Sequence, residues 1–239
     1  MRKLLLAATA LLATATLALP AQAAPDLAIR VFQDDVLQTN LSVSNAGGSL
    51  STSGTTSFFS FVSVISAGFP LLAQPELTVQ STSIASNSNF SGTHNLRIEV
   101  TQIGIDSNSA RIGGTTAQLA NSFTQNFLIG QGVQSVTSSN YIDASNTAFA
   151  QSVLIGSLSS TSGSSPTNSS GLVVSPSFAL DGSLFSETVV ISATFNAPRA
   201  TLQASSQIVG VAVPEPASLA LFGVGLLGMG LIRQRRNKV

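Results

Sequence analysis

The chain of 239 residues contains no cysteine and no tryptophan, one tyrosine and one histidine. Without cysteine there can be no disulfide, no lipoprotein anchor and no thiolate metal site. His94 has no serine and aspartate partners at a spacing that suggests a catalytic triad, so we interpret it as a surface residue at the start of a strand. The motif Gly-x-Ser-x-Gly is also absent, although serine is abundant, and no nucleophile elbow is predicted.

Basic residues are scarce except at the two ends of the chain. Six of the ten lie there: Arg2, Lys3, Arg233, Arg235, Arg236 and Lys238. Between residues 24 and 213 there is no lysine, and four arginines stand against nine acidic residues, a net charge of about −5. Nucleic acids and anionic membranes are bound by dense positive charge, so this stretch argues against both partners.

The amino terminus has the pattern of a secretory signal peptide. Met1-Arg2-Lys3 is positively charged, an apolar run to Leu19 follows, and Ala21 and Ala23 fit an A-x-A cleavage site. We predict a signal helix over residues 1–23, which signal peptidase removes after export by the general secretion machinery. A retained N-terminal anchor is the alternative. An exported chain without disulfides must be stabilised by its hydrophobic core.

Residues 213–239 join a proline-flanked acidic motif, an apolar run and a basic end. Residues 217–232 carry no charge, and a helix of this length spans about 24 Å, close to the thickness of a bilayer's hydrocarbon core. Pro214 and Pro216 keep the residues before them extended, so that Glu215 is accessible beside the membrane. We therefore predict a transmembrane helix over residues 217–232, and a buried core helix is the alternative. Positive residues favour the cytoplasmic side, where they would act as an anchor: Arg233, Arg235 and Arg236.

Pro214, Glu215 and Pro216, followed by the apolar run and the arginine cluster, resemble the PEP-CTERM protein-sorting signal of Gram-negative bacteria. The resemblance covers about a tenth of the chain. It implies one partner, a membrane-embedded exosortase that cleaves at or near the motif. It also implies that the protein crosses the inner membrane, is anchored there transiently, and then reaches the cell surface or the extracellular space.

The body, residues 24–212, has the pattern of one all-β domain. Short stretches of alternating apolar and polar residues are separated by Ser, Asn and Gly at intervals of about ten residues. This pattern is typical of a β-sandwich, which we expect to be jelly-roll-like, and a right-handed β-helix is the alternative. The predicted strands are 27–31, 36–43, 57–66, 77–84, 95–105, 133–142, 148–158, 172–180, 184–196 and 200–211.

Three further segments of the body do not show the simple alternation of a strand. Residues 116–129 have near-helical apolar spacing but contain poor helix formers, and we favour a strand. Residues 159–170 are rich in serine and are predicted to form a flexible loop. Asp181-Gly182 lies between two apolar stretches and predicts a hairpin turn.

Carboxylates are the remaining candidates for chemistry. Residues 106–109 place oxygen ligands at alternate positions, as a calcium loop would, but they lack the glycine and distal glutamate of an EF-hand, and an Asx turn is the favoured interpretation. A pair of acids could cleave glycosides, but a body without tryptophan offers few aromatic sugar platforms. The acids considered for such a pair are Asp34, Asp35, Glu76, Glu99, Asp143 and Glu187.

We therefore expect an exported cell-surface or extracellular-matrix protein that is non-enzymatic and is associated with exopolysaccharide or biofilm. No catalytic residue, cofactor or metal site is predicted. The alternative function is a carbohydrate-binding module or a weak glycoside hydrolase. It stays open because hydroxyl and amide side chains fill the outward positions of most strands.

Overall fold

Alternating apolar residues bring two antiparallel β-sheets together around one core in the computed structural model of the protein. The structure describes residues 26–73, 75–110, 116–129, 132–161, 169–174, 178–179 and 184–211. The predicted all-β class and sandwich architecture are confirmed over these residues. The predicted signal helix, 1–23, and transmembrane helix, 217–232, lie outside them. Within the described part of the chain, no helix is long and apolar enough to cross a membrane.

The first sheet has seven strands, in the order β10-β9-β13-β7-β1-β2, with β3 also paired to β1. Its strands are β1 (Leu27–Gln33), β2 (Val36–Leu37), β3 (Val43–Asn45), β7 (His94–Asp106), β9 (Val133–Asp143), β10 (Val153–Thr161) and β13 (Leu184–Phe195).

The second sheet also has seven strands, in the order β11-β8-β14-β6-β5-β4, with β12 also paired to β8. Its strands are β4 (Ser49–Thr55), β5 (Phe59–Ala67), β6 (Leu77–Ser86), β8 (Thr116–Ile129), β11 (Ser169–Val174), β12 (Phe178–Ala179) and β14 (Thr201–Val211). One helical turn, α1 (Ser107–Ala110), follows β7.

The last two strands complete both sheets. β13 pairs with β7 and β9 in the first sheet, while β14 pairs with β6 and β8 in the second. The central position of each sheet is therefore filled by one of the last two described strands. The first sheet cannot be completed before residue 195 is available, nor the second before residue 211.

The antiparallel pairings also define two ends of the sandwich. We call the end where β14 stops at Val211 the tail end; β1, β4, β6, β8, β10 and β13 begin there, and β5, β7 and β9 stop there. We call the opposite end, which holds the β1–β2 turn and the β13–β14 connection, the distal end.

Aromatic rings join the two sheets near the distal end. Phe59 of the second sheet and Phe195 of the first are both fully buried, and their ring centroids lie 5.0 Å apart in an edge-to-face arrangement. Phe90, from the β6–β7 connection, packs edge-on against Phe59 at 5.8 Å. These rings provide core volume in a chain that has no cysteine and therefore no disulfides.

A buried polar network also crosses the core. Asn140 of β9 donates to Asn121 of β8 (2.8 Å), and Asn121 donates to the Gly156 carbonyl (3.0 Å). Ser138 donates to Ser206 of β14 (2.7 Å) and Ser206 donates to Asn140 (3.3 Å). Because buried polar groups are costly unless they are bonded, this network favours a single register between the sheets.

Several predicted boundaries are wrong. The predicted strand 36–43 divides into β2, a 3-10 turn and β3, since β2 and β3 pair with opposite ends of β1 and Leu41 between them turns into the core. The predicted strand 148–158 begins only at Val153. The predicted loop 159–170 is strand at both described ends, through β10 and β11.

Of the other predictions for the body, one strand is confirmed, one strand is divided, and one turn cannot be compared. Residues 116–129 form β8, as predicted, and the described pairings are antiparallel, which excludes the β-helix. The predicted strand 172–180 divides into β11 and β12 on either side of residues that are not described. The turn at Asp181-Gly182 falls outside the described residues, and the jelly-roll-like connectivity remains a prediction.

Candidate functional site

The predicted sorting and processing residues all lie outside the described part of the chain. They are Ala21, Ala23, Pro214, Glu215, Pro216, Arg233, Arg235 and Arg236. Their roles remain predictions. The structure does show where the sorting segment leaves the domain: β14 ends at Val211, directly before it, in the centre of the second sheet.

A second candidate site lies on the outer face of the first sheet, the side turned away from the core. Cross-strand pairing aligns two rows of polar side chains from β7 to β10. We call these residues the polar floor: Asn95, Ser135, Thr137, Ser159, Thr161, Ser192 and Thr194. All are partly or fully exposed, and four neighbouring strands make the floor about 14 Å wide.

The hydroxyl groups of the polar floor are already oriented. The Asn95 Nδ2 amide donates to Ser192 Oγ at 3.2 Å and to Thr194 Oγ1 at 3.4 Å. The Ser192 hydroxyl donates in turn to Asn95 Oδ1 at 3.5 Å, while the Thr194 hydroxyl that accepts from Asn95 keeps its own proton for another acceptor. The floor therefore presents donors and acceptors on rigid strands, as recognition of a neutral polyhydroxyl ligand requires.

The loop of residues 144–152 covers the outer face toward the tail end. The Phe149 N–H donates to Thr101 Oγ1 (3.2 Å), the Ser186 hydroxyl donates to the Thr147 carbonyl (2.8 Å), and the Gly104 N–H donates to Asn146 Oδ1 (2.7 Å). These contacts explain why Thr101 and Ser186, which face outward, are buried. The loop forms a wall on the tail-end side of the polar floor, beyond the row that Glu99 and Val190 form across β7 and β13.

Asp143 holds the base of this loop. Ser145 Oγ and the Thr147 N–H donate to its Oδ2 at 2.6 and 3.0 Å, and Ser152 Oγ donates to its Oδ1 at 2.6 Å. Hydrogen bonds from Ser145 and then Ser152 lower the pKa of Asp143, although its burial opposes them. The carboxylate is thus occupied with loop structure.

The edge of the wall carries a strained aromatic residue. Phe149 has a φ of 61°, a left-handed conformation that is costly for a bulky side chain. The Arg30 guanidinium lies 3.8 Å from the centre of its ring. Arg30 is exposed and makes no ion pair among the described residues. This stack places a cation and an aromatic surface beside the polar floor.

Arg97 borders the floor on the same flank as Arg30, one outward row nearer the distal end. Its guanidinium lies 4.3 Å from the Phe32 ring centre, and its Nε bonds to Glu99 Oε1 at 3.0 Å. A further ion pair joins it to Asp35. The Arg97–Glu99 ion pair is therefore shielded from solvent on one side, because Glu99 is buried although it lies on the outer face.

His94 is more constrained than the sequence indicated. Its side chain is only 18 % exposed and stacks on Phe58 with ring centroids 3.6 Å apart. Nδ1 bonds to Asp34 Oδ2 at 2.7 Å, and Nε2 bonds to the Ser91 carbonyl at 2.9 Å. The bond to Asp34 ties the β1–β2 turn, where Asp34 and Asp35 both have positive φ, to the start of β7.

The remaining candidate acids serve separate structural roles. Glu76 accepts from Gln207 at 2.6 Å, and Asp106 Oδ1 accepts from the Asn108 N–H at 2.9 Å, which is the predicted Asx turn. No group of three or more metal-binding side chains occurs within the described ranges. Asp143 and Glu187, although on paired strands, lie on opposite faces of the sheet, and therefore do not form a catalytic pair.

Glu187, unlike the other candidate acids, is buried in the core, and nothing in the sequence indicated this burial. It lies on the core side of β13, is fully buried, and neither carboxylate oxygen has a hydrogen-bond partner among the described residues. Its cross-strand partner on β7 is Gln102, whose Nε2 is likewise buried and without a partner there. Burial raises the pKa of Glu187 well above its usual value, which favours a neutral acid inside the sandwich.

The described strands form an all-β body, and its last strand ends directly before the carboxyl-terminal segment. The family model for the PEP-CTERM protein-sorting motif matches residues 212–236. The chain therefore carries a PEP-CTERM sorting motif, which confirms the resemblance and implies export and sorting at the membrane by an exosortase. No curated protein matches the chain.

Solved structures resemble the fold only faintly. The carbohydrate-binding module TmCBM61, solved with β-1,4-galactotriose, is 5 % identical, with 76 % of this chain and 87 % of that one covered and a TM-score of 0.30. The adhesin domain of Lys-gingipain from Porphyromonas gingivalis W83 is 12 % identical, with coverage of 70 % and 100 % and a TM-score of 0.31.

A further likeness is to the enzymatically active domain of tailspike protein 4 of bacteriophage CBA120. It is 10 % identical and has a TM-score of 0.31, and 70 % of this chain covers only 20 % of that one. Because each of these TM-scores is low, no functional argument rests on the likenesses.

Proposed function

We propose that the protein is a non-enzymatic, exosortase-processed component of the cell surface or extracellular matrix. The observation that supports this most directly is the sorting motif at residues 212–236, attached without a long linker to a strand that ends at Val211. Cleavage near Pro214 would leave both sheets of the sandwich complete. The mature product would then be the body alone, beginning near residue 24.

Replacing Pro214, Glu215 and Pro216 with alanine should leave the precursor in the membrane fraction, because the processing enzyme no longer finds its extended substrate. The measurement is cell fractionation with intact mass of the extracellular form. Ser218→Ala, inside the apolar run, is the control and should be processed normally. An extracellular wild-type product whose mass includes residues 217–239 would contradict cleavage at the motif.

A second candidate function is carbohydrate binding by the outer face of the first sheet. It is favoured by one arrangement: the stack of exposed Arg30 on partly exposed Phe149, which has a strained backbone, beside the polar floor. A strained, partly exposed aromatic residue on an ordered loop is more easily explained by ligand contact than by folding. The floor would supply hydrogen bonds to sugar hydroxyls, and Phe149 would supply one apolar surface.

Arg30→Gln and Phe149→Asn should each weaken polysaccharide binding by about tenfold, the loss expected for one hydrogen-bonded or stacked contact. Asparagine tolerates the left-handed backbone at position 149, so the ring is removed without new strain. The measurement is a polysaccharide array with the purified 24–213 fragment, with and without calcium. Arg199→Gln, at the distal end, is the matched control. Binding that all three variants retain would place the ligand elsewhere, and no binding by the wild type would reject this function.

A further inference from the structure

The sorting segment leaves the sandwich from the middle of its tail end. β14 lies between β6 and β8, and its last residues pair with the first residues of β8. Residues 212–216 are all that separate Val211 from the apolar run at 217. Five residues reach at most about 17 Å even when fully extended. If the run is in a bilayer, the tail end of the sandwich must therefore lie close to the membrane surface.

Four of the six large apolar side chains that are exposed among the described residues lie at this same end, and the other two, Val36 and Leu37, lie at the distal end. Among the described residues, Leu71 is 63 % exposed, Val153 and Leu154 are each 51 % exposed, and Leu184 is 38 % exposed. They come from the connection between β5 and β6 and from the starts of β10 and β13, so both sheets contribute. Apolar side chains left exposed at one end of a soluble fold often mark a contact with protein or membrane.

The charged residues of the tail end indicate how this end could contact a membrane. The described ionisable residues at the tail end are acidic: Asp26, Glu76, Asp106 and Asp143. These described residues gain nothing from anionic lipid headgroups. Among the described groups at this end, the leucine and valine side chains are the ones that a bilayer interface would bury favourably.

We propose that the tail end rests on the bilayer surface through Leu71, Val153, Leu154 and Leu184 for as long as the tail is attached. This inference rests on the proposed sorting function. A few partly exposed apolar side chains bind a membrane only weakly, but a five-residue tether holds them at a local concentration in the millimolar range. Cleavage at Pro214–Pro216 removes the tether, and the weak contact then allows release. Until cleavage, the contact keeps the sorting motif at the membrane surface, where an embedded enzyme can reach it.

The chain offers a direct test because it has no native cysteine. Gln151→Cys places a single fluorophore at the tail end, and Asn89→Cys places one at the distal end. In the full chain reconstituted in vesicles of zwitterionic lipid, a quencher carried on the lipid should quench the label at position 151 and not the label at position 89. Adding anionic lipid should not strengthen the effect.

Combined substitution of Leu71, Val153, Leu154 and Leu184 by serine should abolish the quenching at position 151. The matched control is Val36→Ser with Leu37→Ser, which removes exposed apolar residues at the distal end (63 % and 41 % exposed) and should change nothing. An unfolding midpoint measured for each variant identifies any that fails to fold. In that case Leu71→Ser and Val153→Ser are tested singly and should each reduce the quenching.

Resistance of the full chain to carbonate extraction reports tail insertion separately. An inserted chain with equal quenching at both labels, or with quenching that survives the serine substitutions, overturns the inference and leaves the sorting function standing. Quenching at position 151 that requires anionic lipid also overturns it. A chain that does not insert overturns the membrane anchoring itself, and the inference fails with it.

Discussion

Replacement of Glu187 by glutamine should stabilise the domain at neutral pH by about 2 kcal/mol, because the wild type must take up a proton on folding and the glutamine variant need not. Glu187 is fully buried in the sandwich, and its carboxylate oxygens have no hydrogen-bond partners among the described residues. Glutamine keeps the shape of the side chain and is neutral in both the folded and the unfolded state.

The gain should grow with pH. Burial raises the pKa of Glu187 in the folded state, while the unfolded chain titrates near its ordinary value of about 4.3. Below that value both states carry the proton and the wild type has no penalty. As the pH rises, the unfolded chain releases its proton and the folded chain retains it, so the stability of the wild type falls until the folded-state pKa is reached.

Chemical denaturation of the purified body at pH 4, 6 and 8 measures this difference. Glu76→Gln is the control, because the Glu76 carboxylate accepts a hydrogen bond from Gln207 near the surface. Asp143 acts in the opposite direction: its pKa is lowered, so its contribution is lost as the pH falls. A Glu187→Gln variant that is no more stable than the wild type at pH 8 would show that the carboxyl group has partners in solution.

Replacement of Phe195 by alanine should destabilise the body by about 3–5 kcal/mol, the usual effect of deleting a buried phenylalanine. Phe195 is fully buried on β13, and its ring contacts Phe59 across the two sheets. An alanine leaves a cavity where the sheets meet, in a domain that has no disulfide to compensate.

The measurement is the free energy of unfolding from urea titration. Phe195→Leu, which retains most of the volume, should cost less than about 1.5 kcal/mol. Equal effects of the two substitutions would show that edge-to-face geometry, and not volume, is what the site requires. An alanine variant that loses less than about 1 kcal/mol would contradict the central role of this contact.

Much of the fold could be predicted from residue patterns. Leu96, Ile98 and Val100 alternate with Arg97 and Glu99, and the structure places the first three in the core. The boundaries failed where side chains serve tertiary contacts. Leu41 interrupts a predicted strand because it is needed in the core, and residues 148–152 belong to a loop because Phe149 bonds across the outer face to Thr101.

The candidate site on the outer face could not be predicted from the sequence. The polar floor gathers residues from β7, β9, β10 and β13, which are distant in the chain and become neighbours only through pairing. A single signal, the outward alternation of hydroxyl residues, indicated that such a face would exist. The positive φ of Phe149 and its stack with Arg30 had no signal at all.

The sequence by itself determined the sorting motif, the all-β class and the absence of disulfides, because each depends on residue type and on spacing along the chain. The tertiary structure alone decided that Glu187 is buried without a hydrogen-bond partner among the described residues, and that β13 and β14 lie at the centre of the two sheets. It also decided that the tail leaves from the end with most of the exposed apolar residues. These features depend on which strands pair and which face turns inward, and that is settled by contacts between residues far apart in the chain.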